Sequence, residues 1–263
     1  MPDWVKKRAL ITVRTYPVPS AKSIEASCTA AISDKGEWLR LFPVPYRMMD
    51  DDKKFSKWQW IDVDTMKATN DPRPESYKIN PDSITVGHIV GPDTGWHERR
   101  RLLEPLRQLS MCRIQRQREE AGYPTLGFFR PHEIKRLIIA PAKSPDWTAE
   151  QLSALRQDTL FHKAPEQPLE KLPLDFRYEY RCGDVSCRGH TMLCTDWEMG
   201  QSYRAWRRLY GDGWEAKFRQ RYEVEMIDKN DTHFFVGTLH QHPNNWIIVG
   251  LFYPPRQAQG SLF

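Results

Sequence analysis

The chain has 263 residues, with 39 Lys and Arg against 34 Asp and Glu, a net charge of +5 and a pI near 8.9. Ten Trp, ten Tyr and eleven Phe exclude a disordered or low-complexity chain, and 263 residues suffice to bury a core without disulfide staples. No run of about 18 apolar residues occurs, so no membrane-spanning helix is expected, and the opening MPDWVKKRALITVRTY lacks the apolar stretch of a signal peptide.

The first 90 residues read as strands. Arg8–Thr15 and Ala26–Ser33 are apolar runs, the second closed by a turn at Asp34-Lys35-Gly36, and Glu37–Phe42 continues as a buried strand. A short polar, helix-like segment follows. In Trp58–Met66 the residues Ile61 and Val63 share one phase, which makes that phase the core face, opposite Trp60, Asp62 and Asp64. Ser83–Val90 is a further strand. Short strands separated by turn signals predict a small barrel or sandwich.

Residues 96–121 read as an interrupted helix. Leu102, Leu103, Leu106 and Leu109 lie on one face, and Pro105 must kink or restart it. Leu137–Ala140 is a short strand, and Thr148-Ala-Glu-Gln151 is a capping box. The proline-rich stretch 162–173 is the candidate linker, which divides the chain into residues 1–160, a β-barrel plus basic helical segment, and residues 161–263. That second half has a β-β-α-α-β-β order, so the fold class is α+β. In it, Leu174–Arg181 alternates as a strand, Cys182–Gly189 is a loop and His190–Cys194 a second strand. Thr195-Asp-Trp-Glu198 reads as a capping box. The helix that it opens ends at Gly211 and Gly213, and the next carries Trp214, Phe218, Tyr222 and Met226 at spacing four. His233–Leu239 and Trp246–Tyr253 close the chain as strands.

Five cysteines, an odd number with two far from the rest, argue against a secreted disulfide framework and place the chain in a reducing cytoplasm. Cys182, Cys187, His190 and Cys194 form C-x4-C-x2-H-x3-C across the expected hairpin. Thiolates and imidazole are the donors that tetrahedral Zn²⁺ takes, so this predicts a structural zinc knuckle, with His240 or His242 as substitutes for Cys194. The plainer alternative is a hairpin with buried thiols and a surface histidine. Asp196 and Glu198 follow directly. They are candidate catalytic carboxylates of a metal-dependent nuclease, or, as preferred here, the cap of the next helix, whose positive end favours acids.

Seven Arg fall between residues 99 and 118, against one acid, Glu104, until position 119. The planar guanidinium fork suits phosphate, so Arg99, Arg100, Arg101, Arg113 and Arg116 are candidate contacts to DNA or RNA. Trp38 and Arg40 interleave ring and charge in the first half and join them as candidates, since nucleobases stack on exposed rings. Residues 160–263 hold thirteen charges of each sign, so the excess positive charge lies before them.

The segment AKSIEASCTAAISDKGEWLRLFPVPYR resembles the start of dual-OB or PUA-like small-barrel domains of prokaryotic mobile elements and defence islands. The residues that carry it are Cys28-Thr29-Ala30-Ala31, Gly36-Glu37-Trp38-Leu39-Arg40 and Pro43, with Ala31 where those domains have glycine. The resemblance covers 27 residues and implies nucleic-acid or modified-base recognition in a bacterial defence or mobile-element setting. The expected function is cytoplasmic nucleic-acid binding; the alternatives are the nuclease and a protein–protein adaptor.

Overall fold

A computed structural model describes residues 3–20, 24–156, 167–240 and 242–256. In chain order its elements are β1 (Val5–Arg14), β2 (Val18–Ser20), β3 (Ile24–Ser33), β4 (Trp38–Val44), β5 (Gln59–Lys67), β6 (Ser76–Ile79), β7 (Thr85–Ile89), α1 (His97–Leu103), β8 (Arg107–Gln108), α2 (Met111–Ala121), β9 (Leu126–Phe129), β10 (Glu133–Pro141) and α3 (Ala149–Arg156). They continue with β11 (Leu174–Arg181), β12 (His190–Leu193), α4 (Trp197–Tyr210), α5 (Trp214–Arg219), a π-helical run over Gln220–Lys229, β13 (His233–Thr238) and β14 (Trp246–Phe252). The chain forms two compact units, residues 1–90 with 139–175, and residues 91–138 with 176–263. The division therefore falls within β10 and β11, which carry the chain from one unit to the other, and the basic segment 96–121 belongs with the second unit.

The first unit is a barrel. Strands run in the order β1-β3-β4-β6-β5, and pairing of β5 back onto β1 closes five strands into a ring, with β2 and β7 attached to β3 and β5. Closure removes the free edges that an open sheet of this length would expose. The β5 phase is as read from its pattern: Ile61 and Val63 are buried with Ala9, Ile11, Ala31 and Leu41, while Trp60, Asp62 and Asp64 are half-exposed. Between β3 and β4 the Ser33 hydroxyl accepts from the Lys35 and Glu37 amides, and Gly36 takes φ +77°, a turn conformation open to glycine.

The later part of the first unit is anchored by α3. The Thr148 hydroxyl accepts from the Gln151 amide at 3.2 Å and the Gln151 side chain accepts from the Thr148 amide at 3.0 Å, the reciprocal pair of a capping box. Leu155 and Leu169 pack on Ile24, and the Trp147 indole donates to the Leu169 carbonyl. So the described part of the candidate linker, 167–173, is anchored at Leu169, the one buried residue in it, which packs on Ile24 and Leu155. Residues 162–166 lie outside the described residues.

In the second unit, β14-β13-β9-β8 form one sheet and β10-β11-β12 another. The second half of the sequence therefore draws its sheet partners from residues 107–141. All of β13 is buried, and Phe128, Phe129, Phe234, Phe235 and Phe252 fill this core. Pro105 interrupts the helix as expected. Beyond it the chain extends into β8, and Leu109, expected on the apolar face, is 76% exposed because the helical phase is lost. The spacing of four in Trp214, Phe218, Tyr222 and Met226 finds its cause in the π-helical run. On an α-helix twelve residues overshoot three turns by about 120°, whereas a wider turn keeps all four side chains buried on one face.

Candidate metal centre

Four side chains converge in the second unit. Cys112, Cys182, Cys187 and His190 bring their ligand atoms within 4.8 Å of one another, a Cys3His cluster able to hold a metal ion. Cys112 comes from the first turn of α2. That helix is fixed by its Ser110 cap, which accepts from the Arg113 amide at 3.1 Å, and by Met111 and Ile114, both fully buried. The other three come from the hairpin between β11 and β12. There Asp184 holds a tight turn, accepting at Oδ1 from the Ser186 amide at 3.0 Å and hydroxyl at 2.6 Å, while the Cys187 amide donates to the Asp184 carbonyl. The Cys182 and Gly189 amides each donate to Cys187 Sγ at 3.4 Å. Gly189 takes φ +97°, which glycine reaches without strain and which aims its amide at that sulfur.

The spacing of the donors fits a tetrahedral ion. Bonds of about 2.3 Å to sulfur and 2.0–2.1 Å to nitrogen put sulfurs about 3.8 Å apart and sulfur about 3.6 Å from nitrogen. Here Cys112 Sγ lies 3.4 Å from Cys182 Sγ, and His190 Nε2 lies 3.4 Å from Cys112 Sγ and 3.6 Å from Cys182 Sγ. The His190 ring stacks on Tyr180 at 5.1 Å between centroids, which fixes its orientation. Burial lowers the His190 pKa and so favours the neutral imidazole, the form that binds metal. Burial, with Cys182 and Cys187 beside it, pushes the Cys112 thiol up to about 12. Three thiolates crowded together oppose one another, and a divalent cation among them reverses that balance.

The hairpin supplies three of the four expected ligands. Cys194 is not the fourth. It is buried elsewhere, its amide donating to the Phe176 carbonyl at 2.7 Å. Extended chain separates His190 from Cys194 by about 13 Å at 3.3 Å per residue, too far to share one ion despite their common phase. His240 and His242 also lie outside the group, beyond β13. The fourth member is Cys112, 70 residues before Cys182.

Asp196 is the N-cap of α4, one residue later than the expected box at Thr195. Its Oδ1 accepts from the Glu198 and Met199 amides at 2.8 and 3.2 Å and its Oδ2 from the Leu251 amide at 3.1 Å, with 4% of the residue exposed. Buried and engaged by three backbone amides, Asp196 serves as a helix cap and lies outside the cysteine–histidine group. Glu198 is exposed in the first turn of α4, outside the cysteine–histidine group.

The arginines divide. Arg99 is 7% exposed with its guanidinium 4.7 Å above the Trp96 ring, and Arg40 is buried against Glu75 at 3.1 Å, so neither can reach a polyanion. Arg40 is drawn inward by a carboxylate 35 residues away, which spacing does not reveal, and Arg99 by a ring three residues before it. Arg100 is tied to Asp231 at 2.6 Å and to the Pro255 carbonyl. Arg101, Arg113 and Arg116 are exposed, and Trp38 is half-buried. Among the described residues no helix is long and apolar enough to cross a membrane.

Barrel and cysteine–histidine cluster define a two-unit α+β protein with one candidate metal centre. The chain belongs to the family described as Domain of unknown function (DUF8757), which matches residues 107–263; a second, Domain of unknown function (DUF8758), matches residues 5–105. The first match contains all four members of the cluster. The curated proteins contain no match to the chain.

Proposed function

We propose that this chain is a cytoplasmic nucleic-acid-binding protein whose second unit is organised by one structural zinc ion on Cys112, Cys182, Cys187 and His190. The observation that carries the reading is the sorting of residues 99–118. Leu103, Met111 and Ile114 are buried, while Arg101, Arg107, Arg113 and Arg116 stay at the surface of the same segment. Surface guanidiniums beside a rigid, metal-held scaffold suit phosphate recognition, since each contact releases counterions. The closed barrel of the first unit supports the resemblance to small nucleic-acid-binding barrels in type.

Zinc suits the donor set, three thiolates and an imidazole at tetrahedral spacing. Four protein ligands would fill its coordination, so the ion would supply structure, and with Asp196 engaged in a helix cap the binding reading is better supported than the nuclease. Thiols kept free for a metal fit a reducing compartment.

The test is fluorescence anisotropy of zinc-loaded protein with labelled single-stranded DNA, single-stranded RNA and duplex DNA across a salt series. Binding that weakens steeply with salt is expected. Absence of binding to all three at 50 mM salt overturns the reading.

A further inference from the structure

We infer that the nucleic-acid backbone is held at the rim of the cysteine–histidine cluster, by Arg113, Arg116, Arg181 and Arg188. The inference rests on the nucleic-acid reading above and names its surface. The fold brings these four together through the ligands themselves. Arg113 follows Cys112 on α2 and Arg116 lies one turn beyond it; Arg181 directly precedes Cys182, and Arg188 directly follows Cys187. Since the four ligand atoms lie within 4.8 Å of one another, the backbone segments that carry these arginines are brought close together. Two contacts mark the closeness of the arginines to the hairpin: Arg116 Nη2 donates to Asp184 Oδ2, and Arg181 Nη2 donates to the Cys187 carbonyl at 3.2 Å.

All four arginines are exposed. Among the described residues the side chains of Arg113 and Arg188 make no ion pair or hydrogen bond, so their donors are free for a ligand. Asp184 is the acid of the hairpin, and its side chain is 12% exposed and engaged by Arg116 and Ser186. A zinc ion on three thiolates carries one net negative charge. Asp184 adds a second, and the four guanidiniums leave the rim positive by two. The hairpin tip between Gly183 and Ser186 presents Val185, fully exposed, and adds no further charge. Planar forks that can each bridge two phosphate oxygens, set around a metal-fixed hairpin, match a phosphate backbone better than they match dispersed carboxylates.

The experiment compares zinc-loaded wild type with Arg113→Ala/Arg188→Ala, in the full chain, by anisotropy with labelled 20-nucleotide DNA and RNA from 50 to 300 mM KCl. Zinc content and thermal midpoint of the variant should equal those of the wild type, because neither side chain holds the fold. The log–log salt slope should fall by about 2 and affinity at 50 mM salt by roughly tenfold per arginine. The control Arg207→Ala/Arg208→Ala removes the same charge from α4 and should stay within about twofold of wild type, as should wild-type binding in the presence of excess polyglutamate. Should the double variant lose zinc, Arg188→Glu alone takes its place and should weaken binding at least as much as one neutralised arginine. Wild type that binds while the rim variant binds equally overturns the inference and leaves the function standing. So does equal weakening by both double variants, or displacement by polyglutamate, which would make the partner an acidic protein. Wild type that binds no nucleic acid overturns both.

Discussion

Cys112 Sγ and Cys182 Sγ lie 3.4 Å apart although 70 residues separate them along the chain. The pair brings the first turn of α2 against the hairpin after β11, so a metal ion held by the cluster would close a long loop as well as a knuckle. Cys112→Ser should therefore lose stoichiometric zinc and, because binding free energy is then folding free energy, lower the thermal midpoint by about 10 °C. Cys194→Ser should keep its zinc. Elemental analysis and a melting curve on each variant decide between Cys112 and Cys194 as the fourth ligand.

Asp196 satisfies three backbone amides, two at the start of α4 and one from Leu251. Asp196→Ala should cost about 2 kcal/mol, the upper end of measured caps, with zinc content unchanged. Denaturant titration measures the loss; a zinc-depleted variant of wild-type stability would contradict the assignment.

Arg40 donates to Glu75 from both Nε and Nη2, at 3.2 and 3.1 Å, with both side chains nearly inaccessible to water. Removing one partner strands the other charge. Arg40→Ala should destabilise by about 3–5 kcal/mol, visible in a urea titration, and should leave the nucleic-acid affinity of the folded fraction unaltered.

Asp231 sits between Arg100 at 2.6 Å and Arg130 at 2.7 Å. Burial alone would raise its pKa, but the Arg100 hydrogen bond and the charges of His233, Arg130 and Arg100 outweigh it and hold the carboxyl below its usual range. A carboxylate with a depressed folded pKa stabilises fully above its unfolded value of about 3.9 and loses that contribution as pH falls through the folded value. Asp231→Asn should thus cost about 2 kcal/mol at pH 7. The gap to wild type should narrow steadily below about pH 4, as followed by denaturation at stepped pH.

Four of the five barrel strands, the β5 core phase, the Thr148 capping box and the end of α4 at Gly211 were legible because each is written in neighbouring residues; the fifth, β6, was not, since Ser76–Ile79 is only four residues long and its pattern is too short to mark a strand. Three of the four cluster members were legible for the same reason: Cys182, Cys187 and His190 occupy one hairpin. Cys112 was not, since its neighbours in the chain carry no ligand and only the packing of α2 against the hairpin brings it in. Its placement beside Met111 and Ile114, on the buried side of an amphipathic helix, was the signal present. The fates of Arg40 and Arg99 were hidden for the complementary reason. Local charge density marks a surface only when no carboxylate or ring draws the guanidinium inward, whether distant, as Glu75 is from Arg40, or three residues away, as Trp96 is from Arg99.

X-ray absorption at the zinc edge on purified wild-type protein decides whether a single zinc ion is held by three sulfurs and one nitrogen. The expected result is one zinc per chain, with three sulfur neighbours at about 2.3 Å and one nitrogen at about 2.0–2.1 Å. A four-sulfur shell, a shell containing water, or folded protein free of metal would contradict it.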